Sequence, residues 1–216
     1  FNWTIPRVAV VPDLIDEEWA GGHDDWYTQF YGMPIVRYES MILGFLEVFK
    51  CTDGVASWDG TTDIQLVSSR NGRDWERVGD RSPIIERGPE GAFDWGIVQM
   101  GNSLVPDGDL VRVYYDGSNC RHGKDGSERA IGLASWQRDR FVSLRAGSYL
   151  GEIQLIPRRV AGALHINVNA DGGSLVAELA DEAGRLIPGF EASNCLPLEQ
   201  DSLDHELHWA NGATTA

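Results

Sequence analysis

Two stretches of the sequence share one pattern: GGHDDWYTQF at residues 21–30 and GAFDWGIVQM at residues 91–100. In each, glycine precedes an Asp-Trp pair, and an apolar run begins soon after that pair. The two pairs, at positions 25–26 and 94–95, lie roughly seventy residues apart. A pattern that returns at such a spacing indicates an internal repeat, and the repeat decides which fold the chain can adopt.

The sequence around these pairs alternates apolar and polar residues with a period of two. Runs of this kind, rich in β-branched and aromatic residues, are typical of strands, and Asn-Gly and Asp-Gly pairs at 71–72, 107–108 and 125–126 mark tight turns between them. Only residues 13–20 favour a helix, of at most a couple of turns. The sequence therefore predicts an all-β fold. The predicted strands are ILGFLEVF (42–49), DIQLVSSR (63–70), DLVRVYYDG (109–117), AIGLASW (130–136) and DRFVSL (139–144).

Further landmarks repeat at a similar spacing. Arg7 returns as Arg81, and the strand ending at Phe49 returns as one ending at Tyr115. A fixed period with four strands in each unit is typical of the blades of a β-propeller, which bury their faces by stacking around an axis. The first strand of a blade lies nearest that axis. We therefore expect the aspartates at the two entrances to face one central cavity.

The pattern changes near residue 148. Beyond it, shorter alternating segments are joined by polar turns, which is typical of an antiparallel sandwich. The sequence predicts two domains, residues 1–148 with propeller blades and residues 149–216 with a β-sandwich that lacks its final strands.

The chain is strongly acidic, with 33 acidic and 18 basic residues and a net charge of −15. Nucleic acids and anionic membranes bind the opposite charge, so neither is expected as a partner. No apolar run reaches the length that crosses a bilayer, and no signal peptide opens the sequence. The three cysteines are too far apart to predict a disulfide framework, although one bridge is compatible with their number. The scattered histidines predict no metal site, and no cofactor is expected.

Several segments together resemble the family 32 and family 43 glycoside hydrolases. The resemblance covers most of the chain, most strongly residues 63–200, and rests on the order of its motifs. These are SSRNGRDWERV (68–78), SPIIERGPEGAFDWG (82–96), VRVYYDGSNCRHG (111–123), AIGLASWQRDRFVSL (130–144) and GRLIPGFEASNC (184–195). It implies a five-bladed propeller, followed in family 32 by a sandwich, with a sugar bound in the axial funnel. Because such propellers are frequently exported, it weakly favours a secreted or periplasmic protein.

The sequence departs from that family in length. It accommodates about two blades, and the blades that carry most of the family's catalytic carboxylates have no counterpart in it. We therefore expect a C-terminal portion of a propeller, whose exposed blade faces and sheet edges are completed by a companion segment or by further copies of the chain.

Glycoside cleavage requires two carboxyl groups, one of which holds a proton at the working pH. Asp25 and Asp94 are the catalytic candidates because they open the two repeats. For each, the alternative is an aspartate that bonds backbone amides in a turn.

Other side chains are candidates for binding the sugar. Trp26, Trp95 and Tyr115 offer rings that stack on sugar C–H groups, the alternative being packing in the core. Glu47 is a carboxylate inside an apolar run, which needs a partner, a site or water. The resemblance implies that His122 reaches the sugar hydroxyls, whereas a loop histidine is often an ordinary surface residue.

Two functions follow from the sequence. The first is a glycoside hydrolase that acts on a carbohydrate in the propeller funnel. The second is a noncatalytic carbohydrate-binding or scaffold protein of the same fold. A second carboxyl group within range of the first, in the same cavity, distinguishes them.

Overall fold

The computed structural model describes residues 5–53, 58–213 and 215. The chain divides into two compact units between Trp136 and Gln137. The first unit contains a mixed sheet of ten strands, and the second contains a two-stranded sheet. The all-β prediction is confirmed.

The first six strands form one antiparallel meander, which we call the first meander. A long central pair, β3 and β4, is joined along its whole length, while β1 and β2 pair with β3, and β5 and β6 pair with β4. The strands are β1 (Tyr27–Phe30), β2 (Ile35–Tyr38), β3 (Met41–Cys51), β4 (Gly60–Ser69), β5 (Glu76–Arg77) and β6 (Pro83–Ile85).

The next four strands repeat the first three positions of this order and form the second meander. β7 and β8 both pair with β9, and β10 follows on the other side of β9. Asp107 and Leu110 face each other across the predicted turn, where Gly108 takes a positive φ of 60°. The strands are β7 (Ile97–Met100), β8 (Val105–Asp107), β9 (Leu110–Ser118) and β10 (Arg129–Gln137).

The two meanders meet along a narrow seam. Thr62 of β4 pairs in parallel with Ile97 of β7, and the Thr62 amide donates to the Gly96 carbonyl at 3.2 Å. A second bridge joins Gly60 to His122, whose amide donates to the Gly60 carbonyl at 2.9 Å. The loop between β9 and β10 is thus folded back onto the start of β4.

The core lies around β3 and β4, where the apolar runs are buried on both faces. Leu46 and Val48 pack with Val67 on one face, against the half-buried rings of Phe30 and Trp75. Successive residues of a strand point to opposite faces, so Phe45, Glu47 and Phe49 lie on the other. Phe45 and Phe49 are completely buried, and each such ring contributes roughly 2–3 kcal/mol of hydrophobic stabilisation.

A short 3-10 helix, Leu14–Ala20, precedes the first meander, as the sequence predicts. Asp13 caps its N-terminus and Gly21 ends it with a positive φ of 59°. Arg77 of β5 pairs with Asp16 at 2.8 Å, and Arg81 pairs with Asp13 at 2.7 Å. These ion pairs attach the helix to β5 and to the loop between β5 and β6.

The second unit is sparser in regular structure. Its two strands, β11 (His165–Asn169) and β12 (Asp201–Glu206), pair in antiparallel fashion, and a 3-10 turn spans Ala192–Asn194. Isolated bridges such as Leu175 to Leu198 join other segments. The predicted sandwich is not confirmed, and the domain boundary near residue 148 stays a prediction.

The predicted strand at 139–144 is wrong. Asp139 adopts a positive φ of 64°, which turns the chain after β10. Val142 and Leu144 are 54% and 80% exposed and so bury little apolar surface. The other four predicted strands correspond to β3, β4, β9 and β10. The three cysteines are free thiols.

Candidate functional site

The two predicted catalytic aspartates lie in different surroundings. Asp25 precedes β1 and is exposed to solvent. Asp94 precedes β7, is only 7% exposed, and accepts a hydrogen bond from the Tyr115 hydroxyl at 2.8 Å. The catalytic role of either residue stays a prediction. Asp94 is buried and hydrogen-bonded, whereas the side chain of Asp25 lies in solvent.

The Asp94–Tyr115 pair is closely enclosed. The carboxylate lies directly over Gly88, where a side chain would collide with it, and a Cβ at Gly117 would approach the Asp94 Cβ to 2.7 Å. The Phe93 ring stacks near Tyr115, with centroids 6.1 Å apart. Burial, together with the bond to the Asp94 carboxylate, raises the pKa of Tyr115 to about 12. Tyr115 therefore remains protonated and donates to the Asp94 carboxylate.

A cleft lies on the opposite face of the β7–β9 pair. Tyr115 and Gly117 of β9 face Asp94, so the alternate residues Asp116 and Ser118 face the other way. Ser118 lines this cleft. Asp94 and the cleft are thus separated by the sheet itself.

The cleft has a volume of about 310 Å³ and lies where the two meanders meet. The first meander contributes Tyr31, between β1 and β2, and Thr62 of β4. The second contributes Ile97 and Gln99 of β7, Ser118 of β9 and Arg129 of β10. The loop between β9 and β10 contributes Cys120, Arg121, His122, Gly123, Lys124 and Ser127.

His122 lies among aromatic rings at one side of the cleft. Its ring centroid is 5.6 Å from that of Tyr31, 5.3 Å from that of Phe49 and 6.0 Å from that of Trp58. Its Nδ1 is 2.6 Å from the Trp58 carbonyl oxygen. A carbonyl can only accept, so Nδ1 carries a proton and donates it there. In the neutral ring, Nε2 is then left as an acceptor.

Glu47 of β3 lies behind the cleft wall. It is 7% exposed, and burial raises the pKa of its carboxyl group although the Gln99 side chain and the Met100 backbone donate hydrogen bonds to it. Gly32 leaves room for this carboxylate, since a Cβ there would approach Glu47 Oε2 to 2.7 Å. Gln99 lines the cleft and also accepts from Arg129 at 2.7 Å. Glu47 is thus connected to the cleft through one side chain.

The basic side chains of the cleft are anchored by aspartates outside its lining. Arg121 Nε and Lys124 Nζ approach the two oxygens of Asp59, at 2.7 and 3.2 Å. Burial raises the pKa of Asp59, but the bonds from Arg121 and Lys124 outweigh it and hold the pKa below its ordinary value. Arg129 is bonded to Asp116, with Nε at 2.8 Å.

The predicted tryptophans lie elsewhere. The Trp26 ring stacks with the rings of His23 and Trp19, with centroid distances of 4.1 and 5.6 Å. Trp95 is half-buried, and its carbonyl accepts a bond from Arg87 at 2.6 Å. Neither lines the cleft. Of the predicted site residues, the structure brings only His122 to the cleft and Glu47 next to it.

Sequence reasoning missed most of the cleft. Tyr31, Gln99, Arg121, Lys124 and Arg129 were not candidates, because they come together only when the loop between β9 and β10 folds onto the first meander. One signal was available: CRHGK (120–124) is a basic cluster in an acidic chain.

Within the described ranges, no group of three or more His, Cys, Asp or Glu side chains is placed to hold a metal ion. No helix in this part of the chain is both long and apolar enough to cross a membrane.

No protein family and no curated protein matches the sequence. Among solved structures, the chain is similar to a glycosyl hydrolase from Bacteroides ovatus, with 12% identity and a TM-score of 0.36. The match covers 50% of this chain and 29% of that protein. At this TM-score the similarity assigns neither a fold nor an activity. The resemblance to families 32 and 43 remains an interpretation of the sequence.

Proposed function

We propose that this chain is a carbohydrate-binding protein of the glycoside hydrolase type, which holds a sugar in the cleft between its two meanders. The observation that carries the proposal is the composition of the cleft. It combines aromatic surface with hydroxyl, amide and cationic groups that can bond sugar hydroxyls.

The aromatic part of the cleft suits the apolar faces of a sugar ring. Tyr31 is 39% exposed, and its ring is supported from behind by Phe49, with centroids 4.5 Å apart. Trp58, 61% exposed, lies outside the cleft lining and stacks on the ring of His122, which belongs to it. Rings held in place in this way bind a sugar with little loss of side-chain entropy.

The propeller prediction is compatible with the strand order. In each meander the first strand position is shared by two short strands, and the long second strand follows in antiparallel register. We infer that the meanders are neighbouring blades and that other segments or copies of the chain complete the ring. The proposed cleft then lies between two blades.

Hydrolysis is the second candidate function, and Glu47 favours it. A carboxyl group whose pKa is raised by burial can retain a proton and donate it to a leaving oxygen. Cleavage needs two carboxyl groups at the bond, whereas Glu47 lies behind the cleft wall and the described lining of the cleft includes no aspartate or glutamate. For this chain, binding is therefore the better supported of the two functions.

Binding is tested on an array of neutral and acidic oligosaccharides, followed by titration calorimetry on any hits. Tyr31→Ala removes a ring of the cleft and should weaken binding at least tenfold. Tyr149→Ala is the matched control, because Tyr149 is 88% exposed in the second unit. Circular dichroism establishes that both variants fold. Absence of saccharide binding by the unaltered protein would contradict the proposal.

Hydrolysis is tested by release of reducing sugars from the glycans that bind. If Glu47 donates the proton, Glu47→Gln should abolish release while leaving affinity within about threefold, whereas the exposed Glu86→Gln should do neither. If the unaltered chain binds a glycan without releasing reducing sugars, hydrolysis is contradicted and the noncatalytic function is supported.

A further inference from the structure

Resting on the proposed function, we propose that the cleft is specific for acidic saccharides, which carry carboxylate or sulfate groups on their sugar rings. Lys124, Arg121 and Arg129 would recognise the charged group, while Tyr31 and His122 contact the sugar ring.

The charge of the cleft is opposite to that of the chain. The protein carries a net charge of −15. The described lining nevertheless includes two arginines, one lysine and one histidine, and no carboxylate. Cationic groups concentrated in a concave site attract anionic ligands, even when the rest of the surface repels them.

The three cations of the cleft lining form ion pairs with two aspartates. Arg121 and Lys124 share the single carboxylate of Asp59. Arg129 is balanced by Asp116. Two of the three cations therefore share one carboxylate. A ligand carboxylate or sulfate can form a further ion pair with them.

Lys124 is the cation best placed to meet a ligand. Its side chain is 56% exposed, compared with 48% for Arg129 and 29% for Arg121. An ammonium group has three donors, and the contact with Asp59 at 3.2 Å engages one of them. Asp125 lies in the same loop but does not line the cleft. Lys124 can thus bind an oxyanion without giving up its existing partner.

Arg121 and Arg129 are each held by hydrogen bonds to two other residues. Arg121 is bonded to Asp59 and to the Thr52 hydroxyl, and Arg129 to Asp116 and Gln99. Guanidinium groups fixed in this way are preorganised for an oxyanion, because little side-chain freedom is lost on binding.

The proposal is tested by titration calorimetry with pairs of saccharides that differ only in charge. Oligogalacturonate is compared with its methyl ester, and a sulfated galactan oligosaccharide with its desulfated form. We expect the charged member of at least one pair to bind at least tenfold more tightly, and the pair that shows this identifies the charged group. Raising the salt concentration should reduce the difference.

Variants assign the effect to the cleft. Lys124→Gln should remove most of the preference for the charged saccharide, because it should weaken binding of the charged member much more than binding of the uncharged one. Arg73→Gln is the matched control, since Arg73 is an exposed cation just beyond the opposite end of β4. A preference retained by Lys124→Gln, or lost equally in Arg73→Gln, would overturn the assignment.

The remaining outcomes separate this inference from the proposed function. Equal binding of charged and uncharged saccharides would overturn the charge preference and leave carbohydrate binding in place. Absence of binding to any saccharide would overturn both. Equally tight binding of inorganic sulfate or polyglutamate would show a general anion site and overturn the preference for acidic sugars.

Discussion

The two Asp-Trp entrances share a sequence pattern but differ in structure. Asp25 is exposed, whereas Asp94 is buried against Tyr115. The strand pairing explains the difference. When Asp25 is aligned with Asp94, Thr28 of β1 corresponds to Ile97 of β7. Thr28 pairs with Lys50 of β3, and Ile97 pairs with Ser118 of β9. Three residues before those partners lie Glu47 and Tyr115.

The two equivalent residues differ in chemistry. Tyr115 has a hydroxyl proton, which it donates to Asp94, whereas Glu47 has a carboxyl group at that position. Glu47 is instead bonded by Gln99 and the Met100 backbone of the second meander. The repeat therefore determines the order of the strands. The side chains at Glu47 and Tyr115 determine whether the aspartate of each Asp-Trp pair has a hydrogen-bond donor beside it.

The largest effect is expected from a substitution at Gly96. This residue follows the Asp-Trp pair of the second meander, at the position that Tyr27 occupies in the first. A Cβ at Gly96 would collide with the backbone of Cys120 and Arg121. Gly96→Ala should lower the free energy of unfolding by about 3 kcal/mol, measured by urea denaturation. Gly147→Ala, with open space around its Cβ, should have little effect. Equal stability of the two variants would show that the second entrance is not tightly packed.

The next effect compares the two aspartates directly. Asp94→Ala removes the acceptor of the Tyr115 hydroxyl and should cost about 2 kcal/mol of stability. Asp25→Ala changes an exposed residue and should remain within about 0.5 kcal/mol of the unaltered protein. Chemical denaturation of both variants checks this. Equal losses would mean that the two entrances share one environment.

A smaller effect concerns Tyr115. Tyr115→Phe should cost about 1 kcal/mol near neutral pH by removing one hydrogen bond. The pKa of Tyr115 is raised from 10.0 to about 12 in the folded protein, so its stabilisation is complete below pH 10 and is lost as the pH rises towards 12. The stability difference between the unaltered protein and Tyr115→Phe should therefore shrink over that range, as followed by circular dichroism. A difference that stays constant would contradict the raised pKa.

The smallest effect concerns Glu47 in the first meander. Burial raises its pKa above the ordinary value of 4.5, so the folded state binds its proton more tightly than the unfolded state. The stability of the unaltered protein relative to Glu47→Gln should be greatest below pH 4.5 and should fall as the pH rises through the raised pKa. Thermal melts from acid to neutral pH measure this. A relative stability that rises with pH would mean that the hydrogen bonds outweigh the burial.

Local patterns were sufficient for much of the fold. The apolar runs of β3 and β4, and the Asp-Gly turn between β8 and β9, follow from residue types alone. The segment 139–144 has a similar pattern but forms no strand, since its apolar side chains Val142 and Leu144 remain exposed. A strand also needs a neighbour to complete its backbone hydrogen bonds, which local sequence does not reveal.

The candidate site was less predictable. Glu47 stood out as a carboxylate in an apolar run, and His122 through the resemblance. Lys124 and Arg121 belong to the cleft only because their loop crosses to Gly60 and Asp59 of the first meander. Contacts of this kind join residues about sixty positions apart along the sequence, and no local pattern encodes them.

The backbone hydrogen bonds between the two meanders provide a means of detecting ligand binding. The Thr62 amide is held by the Gly96 carbonyl where the two halves meet, and the His122 amide by the Gly60 carbonyl. A ligand bound across this junction would hold the two meanders together. Deuterium uptake at these two amides should then slow when the site is occupied, while amides in the middle of β3 keep their own rate.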